Sequence, residues 1–204
     1  PEDVPVLFLP RRPGIDWGFA LRLRALLQNL GPEVLHVHND TALCYGALAL
    51  LLMNSAKPRL LVTFHNAPVN PTWKARWITR LASKQATHRI AVSAELRNRL
   101  RQEKWINECA VILNGIDPVN YHPQGKTADL RASLGVSLKS LLIGHVGRFD
   151  ENKRQEDLVQ AAFQVFTKVP EATIVFVGQG PNRDRIMQLA QAEARIKFIH
   201  RISD

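Results

Sequence analysis

The sequence has few cysteines and no long apolar run, and its first residues do not have the layout of a signal peptide. Its 204 residues include two cysteines, Cys44 and Cys109, with neither metal-ligand spacing nor a redox pair, so we expect buried free thiols and no disulfide. The apolar stretch at residues 47–53 is far too short to span a bilayer. The N-terminus lacks the basic, apolar and small-residue layout of a signal peptide, which makes a cytoplasmic location the default expectation.

Acidic residues are outnumbered by basic ones. The chain has 27 lysines and arginines against 18 aspartates and glutamates, a formal net charge of +9 and a pI near 10.1. This excess favours an anionic partner, which could be a phosphate-bearing small molecule, an acidic lipid surface or a nucleic acid. No aromatic platform or recognised nucleic-acid motif accompanies the basic segments, so we expect no nucleic-acid partner.

Short β-branched runs alternate with longer amphipathic stretches along the chain. Eight runs are predicted to be strands, at residues 4–9, 34–38, 60–65, 89–92, 110–113, 141–146, 173–177 and 196–199. Helices are predicted between them, at residues 19–30, 41–53, 73–84, 94–102, 154–168 and 182–192. Strands that alternate with helices imply right-handed crossovers, and therefore an α/β fold with parallel sheets covered on both faces.

The alternation stops once, in a polar stretch that contains Asn-Gly, Asp-Pro and His-Pro pairs. We predict an N-terminal domain over residues 1–117, a linker with at most one short helix over 118–138, and a C-terminal domain over 139–204. Ligands of such proteins gather at the carboxyl ends of parallel strands and in the gap between two units. The residues that directly follow each strand are therefore the candidate site.

The segment after the sixth predicted strand has the composition of a phosphate site. Gly147 lets a backbone approach closely, Arg148 offers a two-pronged donor set, and Lys153 lies at the start of a predicted helix, whose free amides attract anions. This pattern predicts a bound pyrophosphate. The alternative is that both cations are ordinary surface residues neutralised by nearby carboxylates. Those carboxylates are Asp150, Glu151 and Glu156.

Two histidines alternate at the end of the second predicted strand and share one of its faces. His36, His38 and Asp40 have the spacing with which some metallohydrolases begin a zinc site, and His65 could join them. Such hydrolases usually have another histidine directly after the aspartate, where this chain has Thr41. We therefore favour sugar-contacting or packed histidines and keep a zinc-dependent hydrolase as an alternative.

The helix predicted at residues 73–84 combines tryptophan with positive charge. Trp73, Trp77, Ile78 and Leu81 share one face, and the lysines and arginines lie mostly elsewhere. This pattern is typical of a helix that covers a sheet with its apolar face. The alternative is a helix that lies on an anionic membrane surface.

Six segments in order resemble family 4 of the retaining GT-B glycosyltransferases, also called glycosyl transferases group 1, which includes the phosphatidylinositol mannosyltransferases. The segments are EVLHVHN at 33–39, LVTFHN at 61–66, RIAVS at 89–93, VILNGID at 111–117, VGRF at 146–149 with Lys153, and VFVGQGP at 175–181. Each segment is weak alone, but their order and spacing make a specific signal. The resemblance implies two Rossmann-like domains, both incomplete in this chain.

In this family the C-terminal domain binds the nucleotide sugar and the N-terminal domain binds the acceptor. The resemblance implies that Arg148, Lys153 and Gly147 bind the donor diphosphate and that His65 is catalytic. Further residues are assigned by position: Gly178, Gly180 and Arg201 to the nucleotide-side loop, and His38, Asn39 and Asn66 to the acceptor or sugar side. Turn geometry alone is also a sufficient reason for Gly178.

The family's glycine-rich turn and paired glutamates have no match in this chain, so we expect both outside it and expect the fragment alone to be inactive. An Asp-x-Asp motif is also missing, which favours metal-independent chemistry without a cofactor and with the nucleotide diphosphate sugar as co-substrate. The expected reaction is retaining transfer of a sugar to a hydroxyl acceptor, a glycan or lipid of the cell envelope. The expected location is the cytoplasm, with peripheral contact at the inner face of the membrane.

Three alternatives to this function stay open. The first is the zinc-dependent hydrolase. The second is a non-catalytic two-domain protein that binds a ligand without turnover. The third is a sugar-nucleotide epimerase with the same two-domain plan. Metal analysis and product analysis separate them from a transferase.

Overall fold

The computed structural model describes residues 4–54, 56–67, 72–119, 128–191 and 193–200. The chain divides into two compact units, Pro1–Ile116 and Asp117–Asp204. Each unit is an α/β structure with a parallel sheet and its own hydrophobic core. The predicted fold class is therefore confirmed.

The N-terminal unit contains a four-stranded parallel sheet in the order β1-β2-β3-β4. Its elements are α1 (Trp17–Leu30), β1 (Val34–His38), α2 (Asn39–Leu51), β2 (Arg59–Phe64), α3 (Trp73–Gln85), β3 (His88–Ala91), α4 (Ala94–Gln102) and β4 (Ala110–Val111). The core lies between the sheet and its helices, and the fully buried side chains of Leu43, Leu60, Val62 and Trp105 are part of it.

Polar caps define where the helices of this unit begin. The side chains of Asp16, Thr72 and Ser93 each accept a hydrogen bond from the backbone amide three residues later. These bonds satisfy amides that the first turn of a helix leaves free. The α1 helix ends at Gly31, whose φ of 56° lies in the left-handed region that glycine tolerates.

The C-terminal unit contains a three-stranded parallel sheet in the order β5-β6-β7. Its elements are α5 (Ala128–Ser133), β5 (Leu142–Val146), a short 3₁₀ turn (Glu151–Lys153), α6 (Gln155–Lys168), β6 (Thr173–Val177), α7 (Arg183–Ala190) and β7 (Ile196–Ile199). Every residue of the central strand β6 is buried, as expected for a parallel strand covered on both faces.

One predicted strand is wrong. Residues 4–9 form no strand in the structure, and the side chains of Val6 and Phe8 are 88% and 89% exposed. Their apolar composition suits a strand, but among the described residues no strand pairs with this segment. A β-strand needs the hydrogen bonds of a neighbour, so composition alone did not determine the structure here. The other seven predicted strands are confirmed within two residues at each end.

The predicted orientation of α3 is also wrong. The helix packs through small side chains, Thr79, Ala82 and Ser83, which are 2%, 6% and 3% exposed. Small residues let the helix approach its neighbours closely, so the larger apolar side chains point outward. Trp73 is 73% exposed and Trp77 is 61% exposed. Within the described residues, no helix has the length and apolarity to cross a membrane.

Both cysteines are free, as predicted, but they are half-buried rather than buried. Burial raises the pKa of both thiols, Cys44 and Cys109. The Cys44 Sγ atom lies 3.8 Å from the Thr79 hydroxyl oxygen. A raised pKa keeps a thiol protonated and unreactive near neutral pH, so neither residue has the character of a nucleophile.

Candidate functional site

The loop that follows β5 is held by three hydrogen bonds and one buried side chain. The backbone amides of Gly147 and Phe149 donate to the carbonyl oxygens of Val177 and Gln179, at 3.0 and 2.9 Å. The Phe149 side chain is fully buried in the core of the C-terminal unit. The amide of Gln155, itself 2% exposed, donates to the carbonyl oxygen of Arg148 at 2.8 Å. The backbone that carries Arg148 is therefore fixed before any ligand binds.

Two glycines of the turn after β6 allow this packing. Gly178 and Gly180 have φ values of +140° and +157°, which side chains rarely adopt. A Cβ atom on Gly178 would overlap the carbonyl oxygen of Gly147, and one on Gly180 would lie 2.6 Å from the amide nitrogen of Phe149. Close backbone approach explains both glycines, and their nucleotide-side role stays a prediction. Arg201, the third residue of that predicted loop, lies outside the described residues.

Arg148 and Lys153 present their charges at the carboxyl end of β5. Both residues are exposed. The Lys153 Cδ atom lies 3.9 Å from the point where a Cβ on Gly147 would be, so the lysine stem runs back along the strand end. The sequence predicted Lys153 at the start of a helix, and the structure has it in the 3₁₀ turn that precedes α6. The binding role of Gly147, Arg148 and Lys153 stays a prediction.

Neither cation is neutralised in the part of the chain that the structure describes. Glu156 pairs with Arg185 at 3.1 Å, and Asp157 pairs with Arg154 at 2.7 Å. No hydrogen bond or ion pair of the described residues involves the side chain of Arg148 or Lys153. The alternative, in which nearby carboxylates neutralise the two cations, has no support in this geometry.

A second group of predicted residues meets at the carboxyl ends of β1 and β2. The parallel register pairs His36 with Leu61 and His38 with Thr63, which puts both histidines and Thr63 on one face. His65, two residues beyond Thr63, continues that face. The Nδ1 atom of His38 lies 2.9 Å from Nε2 of His65, and Nε2 of His36 lies 2.8 Å from the hydroxyl of Thr63.

Asn39 links the ends of β1 and β2 by a hydrogen bond between its side chain and a backbone amide. Its φ of 68° lies in the left-handed region, which asparagine tolerates better than most side chains. The Asn39 side-chain oxygen accepts a hydrogen bond from the His65 amide at 3.0 Å. Asn66, which directly follows His65 in the chain, is exposed. His38, Asn39 and His65 are thus brought together as one hydrogen-bonded cluster.

The surroundings of His38 favour the neutral form of its ring. Burial lowers the pKa of His38, and the nearby His36 and His65 lower it further because like charges would repel. The ring centroids of His36 and His38 are 4.5 Å apart, and those of His38 and His65 are 5.1 Å apart. A neutral His38 can share a hydrogen bond with His65, whereas two imidazolium rings could not.

The zinc alternative gains no support from this arrangement. In the described segments, no three His, Cys, Asp or Glu side chains are grouped so that they could hold a metal ion. His38 and His65 direct ring nitrogens at each other, and Asp40 lies in the first turn of α2. The proposed zinc triad of His36, His38 and Asp40 is therefore not assembled.

Sequence reasoning missed two residues that support these sites. Thr63 could have been found, because it lies two residues before His65 and a strand brings such residues to one face. Gln155 gave no signal in the sequence, since a glutamine at the start of a polar helix usually faces water. Its burial becomes visible only when the loop after β5 folds over it.

Comparison with known proteins agrees with this geometry. Residues 2–120 match the family described as Glycosyltransferase Family 4, and residues 126–204 match Glycosyl transferases group 1. N-acetyl-alpha-D-glucosaminyl L-malate synthase of Bacillus anthracis is 26% identical over 196 residues, which are 92% of this chain and 50% of that protein. Sulfoquinovosyl transferase SQD2 of Arabidopsis thaliana is 26% identical over 181 residues, 82% of this chain and 34% of that protein.

The chain therefore spans half or less of the length of these relatives. Among solved structures, Anabaena HepE in complex with UDP and glucose superposes with a TM-score of 0.68 and 22% identity, over 90% of this chain and 51% of that one. This likeness shows a common GT-B fold, with two Rossmann-like units of parallel sheet. The match over residues 2–120 establishes that the chain belongs to glycosyltransferase family 4.

Proposed function

We propose that the whole protein transfers a sugar from a nucleotide diphosphate sugar to a hydroxyl acceptor, with retention of anomeric configuration. One observation carries the proposal: a rigid loop presents Arg148 and Lys153 without any partner among the described residues. Two unpaired cations on a fixed backbone at the carboxyl end of a parallel strand are suited to a diphosphate.

The two cations of this loop accelerate the reaction in this proposal, in addition to binding the donor. The leaving diphosphate gains negative charge as the glycosidic bond breaks, so cations at fixed positions stabilise the transition state more than the bound substrate. In this scheme Arg148 and Lys153 supply the charge that a metal ion supplies elsewhere, and neither a metal nor a cofactor is required. Gly147 leaves room for the phosphates beside the strand end.

In this proposal the histidine cluster lies on the acceptor or sugar side of the reaction. His65 lies by the transferred sugar as the catalytic histidine, and Asn39 and Asn66 belong to the acceptor or sugar side. Retention follows if the acceptor attacks on the face from which the diphosphate leaves and the departing phosphate oxygen takes its proton. No separate general base is needed for that step.

The proposal is tested with Arg148→Ala and Lys153→Ala variants of the whole protein. Each should lose about 2 to 4 kcal/mol of transition-state stabilisation, by analogy with removed oxyanion-hole donors. Lys168→Ala is the matched control, because Lys168 is an exposed cation at the opposite end of α6 and should be silent. Unchanged turnover in both test variants contradicts the proposal. Tight binding of a nucleotide sugar without transfer would favour the non-catalytic binding protein instead.

The proposed acceptor is a glycan or lipid of the cell envelope, reached from the cytoplasmic face of the membrane. The exposed side of α3 supports peripheral membrane contact. Trp73 and Trp77 are exposed there beside the exposed cations Lys74 and Lys84. Tryptophan suits the interface between headgroups and acyl chains, and the lysines are attracted to anionic lipids.

A further inference from the structure

The hydrogen bond between His38 and His65 couples the chemistry of two rings. It joins His38 Nδ1 and His65 Nε2 at 2.9 Å, and the rings are stacked with an interplanar angle of 29°. A neutral imidazole has one N–H donor and one bare nitrogen acceptor. If one ring donates in this bond, the other must accept, so the tautomer of His65 is determined together with that of His38.

The surroundings hold both rings in this arrangement. The backbone of His65 is fixed by the hydrogen bond from its amide to the Asn39 side chain. His36 lies on the other side of His38, and its own ring is held by the hydrogen bond to Thr63, which is 8% exposed. His38 is itself exposed, and the contacts that orient its ring are those with the imidazoles of His36 and His65.

The bond to His38 occupies one ring nitrogen of His65 and leaves the other for a ligand. Nδ1 of His65 has no hydrogen bond to any described residue, and His65 is only half-buried. Whether this atom donates or accepts depends on the tautomer, which is coupled to that of His38 through the shared hydrogen bond. A His65 ring turned out of this bond would present Nδ1 to a ligand in a different direction.

We propose that His38 is a positioning residue that holds the His65 ring in one orientation for the transfer reaction and couples the tautomer of His65 to its own. The proposal rests on the proposed catalytic role of His65. It gives His38 a task that differs from contact with the sugar, since His38 acts through its neighbour. The lowered pKa of His38, caused by burial and then by His36 and His65, keeps that ring neutral and able to share the bond.

The first test needs no activity and uses the 204-residue chain. Imidazole ¹⁵N NMR distinguishes the two neutral tautomers from their fast-exchanging mixture. We expect a hydrogen-bonded Nε2 of His65 in the parent chain, and His38→Ala should shift its ¹⁵N resonance and change the tautomer populations of His65. His38→Asn should keep the hydrogen bond, because its side-chain amide occupies nearly the position of the lost Nδ1 and can either donate or accept. An unchanged His65 spectrum in His38→Ala overturns the proposal whatever the activity is.

The second test measures turnover of the whole protein. His38→Ala should lower kcat about 10- to 100-fold, by analogy with residues that orient a ligating histidine, and leave KM for the donor unchanged. His38→Asn should recover most of the loss. His88→Ala is the control, since His88 is an exposed histidine at the start of β3, the opposite end of the sheet.

A double-mutant cycle separates this inference from the function on which it rests. If His38 acts through His65, removal of His38 in a His65→Ala background should have no further effect on kcat. Equal losses with and without His65 would overturn the positioning role. An unchanged kcat in His65→Ala would instead show that the proposed catalytic role fails, and the positioning role for the reaction would fail with it.

Discussion

At the residue scale, the turn after β6 passes so close to the loop after β5 that neighbouring backbones leave no room for a side chain. Gly178 is the clearest case, because a Cβ there would overlap the Gly147 carbonyl oxygen and its φ is also positive. The contact supports the loop that carries Arg148. The sequence suggested a turn or a ligand contact as the reason for Gly178. The structure adds a third reason, the close packing of two backbone segments beneath the site.

Gly178→Ala should therefore destabilise the chain strongly. Steric overlap and an unfavourable backbone conformation together predict a loss of about 2 to 4 kcal/mol, measured by urea denaturation. Gly144→Ala is the matched control, since a Cβ on Gly144 in β5 would meet nothing closer than Val175 Cγ1 at 3.9 Å. The control should change stability by less than about 1 kcal/mol. Similar stabilities for the two variants would show that the turn relaxes easily.

Residues at strand ends were the most predictable part of the candidate site. Arg148, Lys153, His38 and His65 were identified because parallel strands deliver their following residues to one edge, a rule that needs only the order of elements. What those side chains contact was not predictable. The bond between His38 and His65 depends on the register of β1 against β2. Parallel strands are joined by long crossovers and lack the short hairpin turn from which a register could be predicted.

At the element scale, α3 shows where an apolar pattern misleads. Helical periodicity correctly predicted that Trp73, Trp77, Ile78 and Leu81 share a face, and the helix bounds agree within one residue. The error lay in the assumption that the larger apolar face is the buried one. Close packing against α2 selects small side chains, so the tryptophans remain outside with the lysines.

The exposed side of α3 should bind anionic vesicles. In sedimentation assays the chain should bind phosphatidylglycerol vesicles more tightly than phosphatidylcholine vesicles. Lys74→Gln and Lys84→Gln should each weaken binding by about 1 kcal/mol, and Trp73→Ala should weaken it as well. Leu189→Ala, at an exposed apolar residue of α7, is the control. Equal binding to both lipids, or equal loss in the control, would remove the support for membrane contact.

The prediction of a strand at residues 4–9 was wrong for a different reason. The composition of these residues suits a strand, but a strand also needs a neighbouring strand to pair with, and composition does not supply one. Elements that depend on local chemistry were well predicted. The α4 helix has the predicted bounds at both ends, and the Ser93 side chain caps its first turn.

At the scale of the whole molecule, the two units have separate cores and separate chemistry. Arg148 and Lys153 belong to the C-terminal unit and the histidine cluster to the N-terminal unit. Binding of a ligand at the two cations can therefore be measured without any transfer reaction.

A nucleoside diphosphate should therefore act on one unit of the chain. Screening with uridine, guanosine and adenosine diphosphates should identify one that raises the melting temperature, by the equivalent of about 2.7 kcal/mol at a hundredfold excess over Kd. Hydrogen exchange should then show protection in residues 142–153 and 173–182. Protection confined to β1 and β2 would contradict the assignment of the diphosphate to Arg148 and Lys153.

Within the described residues Arg148 and Lys153 have no carboxylate partner, which also affects how the protein is handled in solution. Two like charges held on a stiff loop repel each other, and any small multivalent anion relieves that repulsion without regard to a nucleobase. Inorganic pyrophosphate, sulfate and phosphate buffers should therefore occupy the loop and compete with the sugar donor. Kinetic constants measured in such buffers would describe displacement of the anion as well as recognition of the substrate.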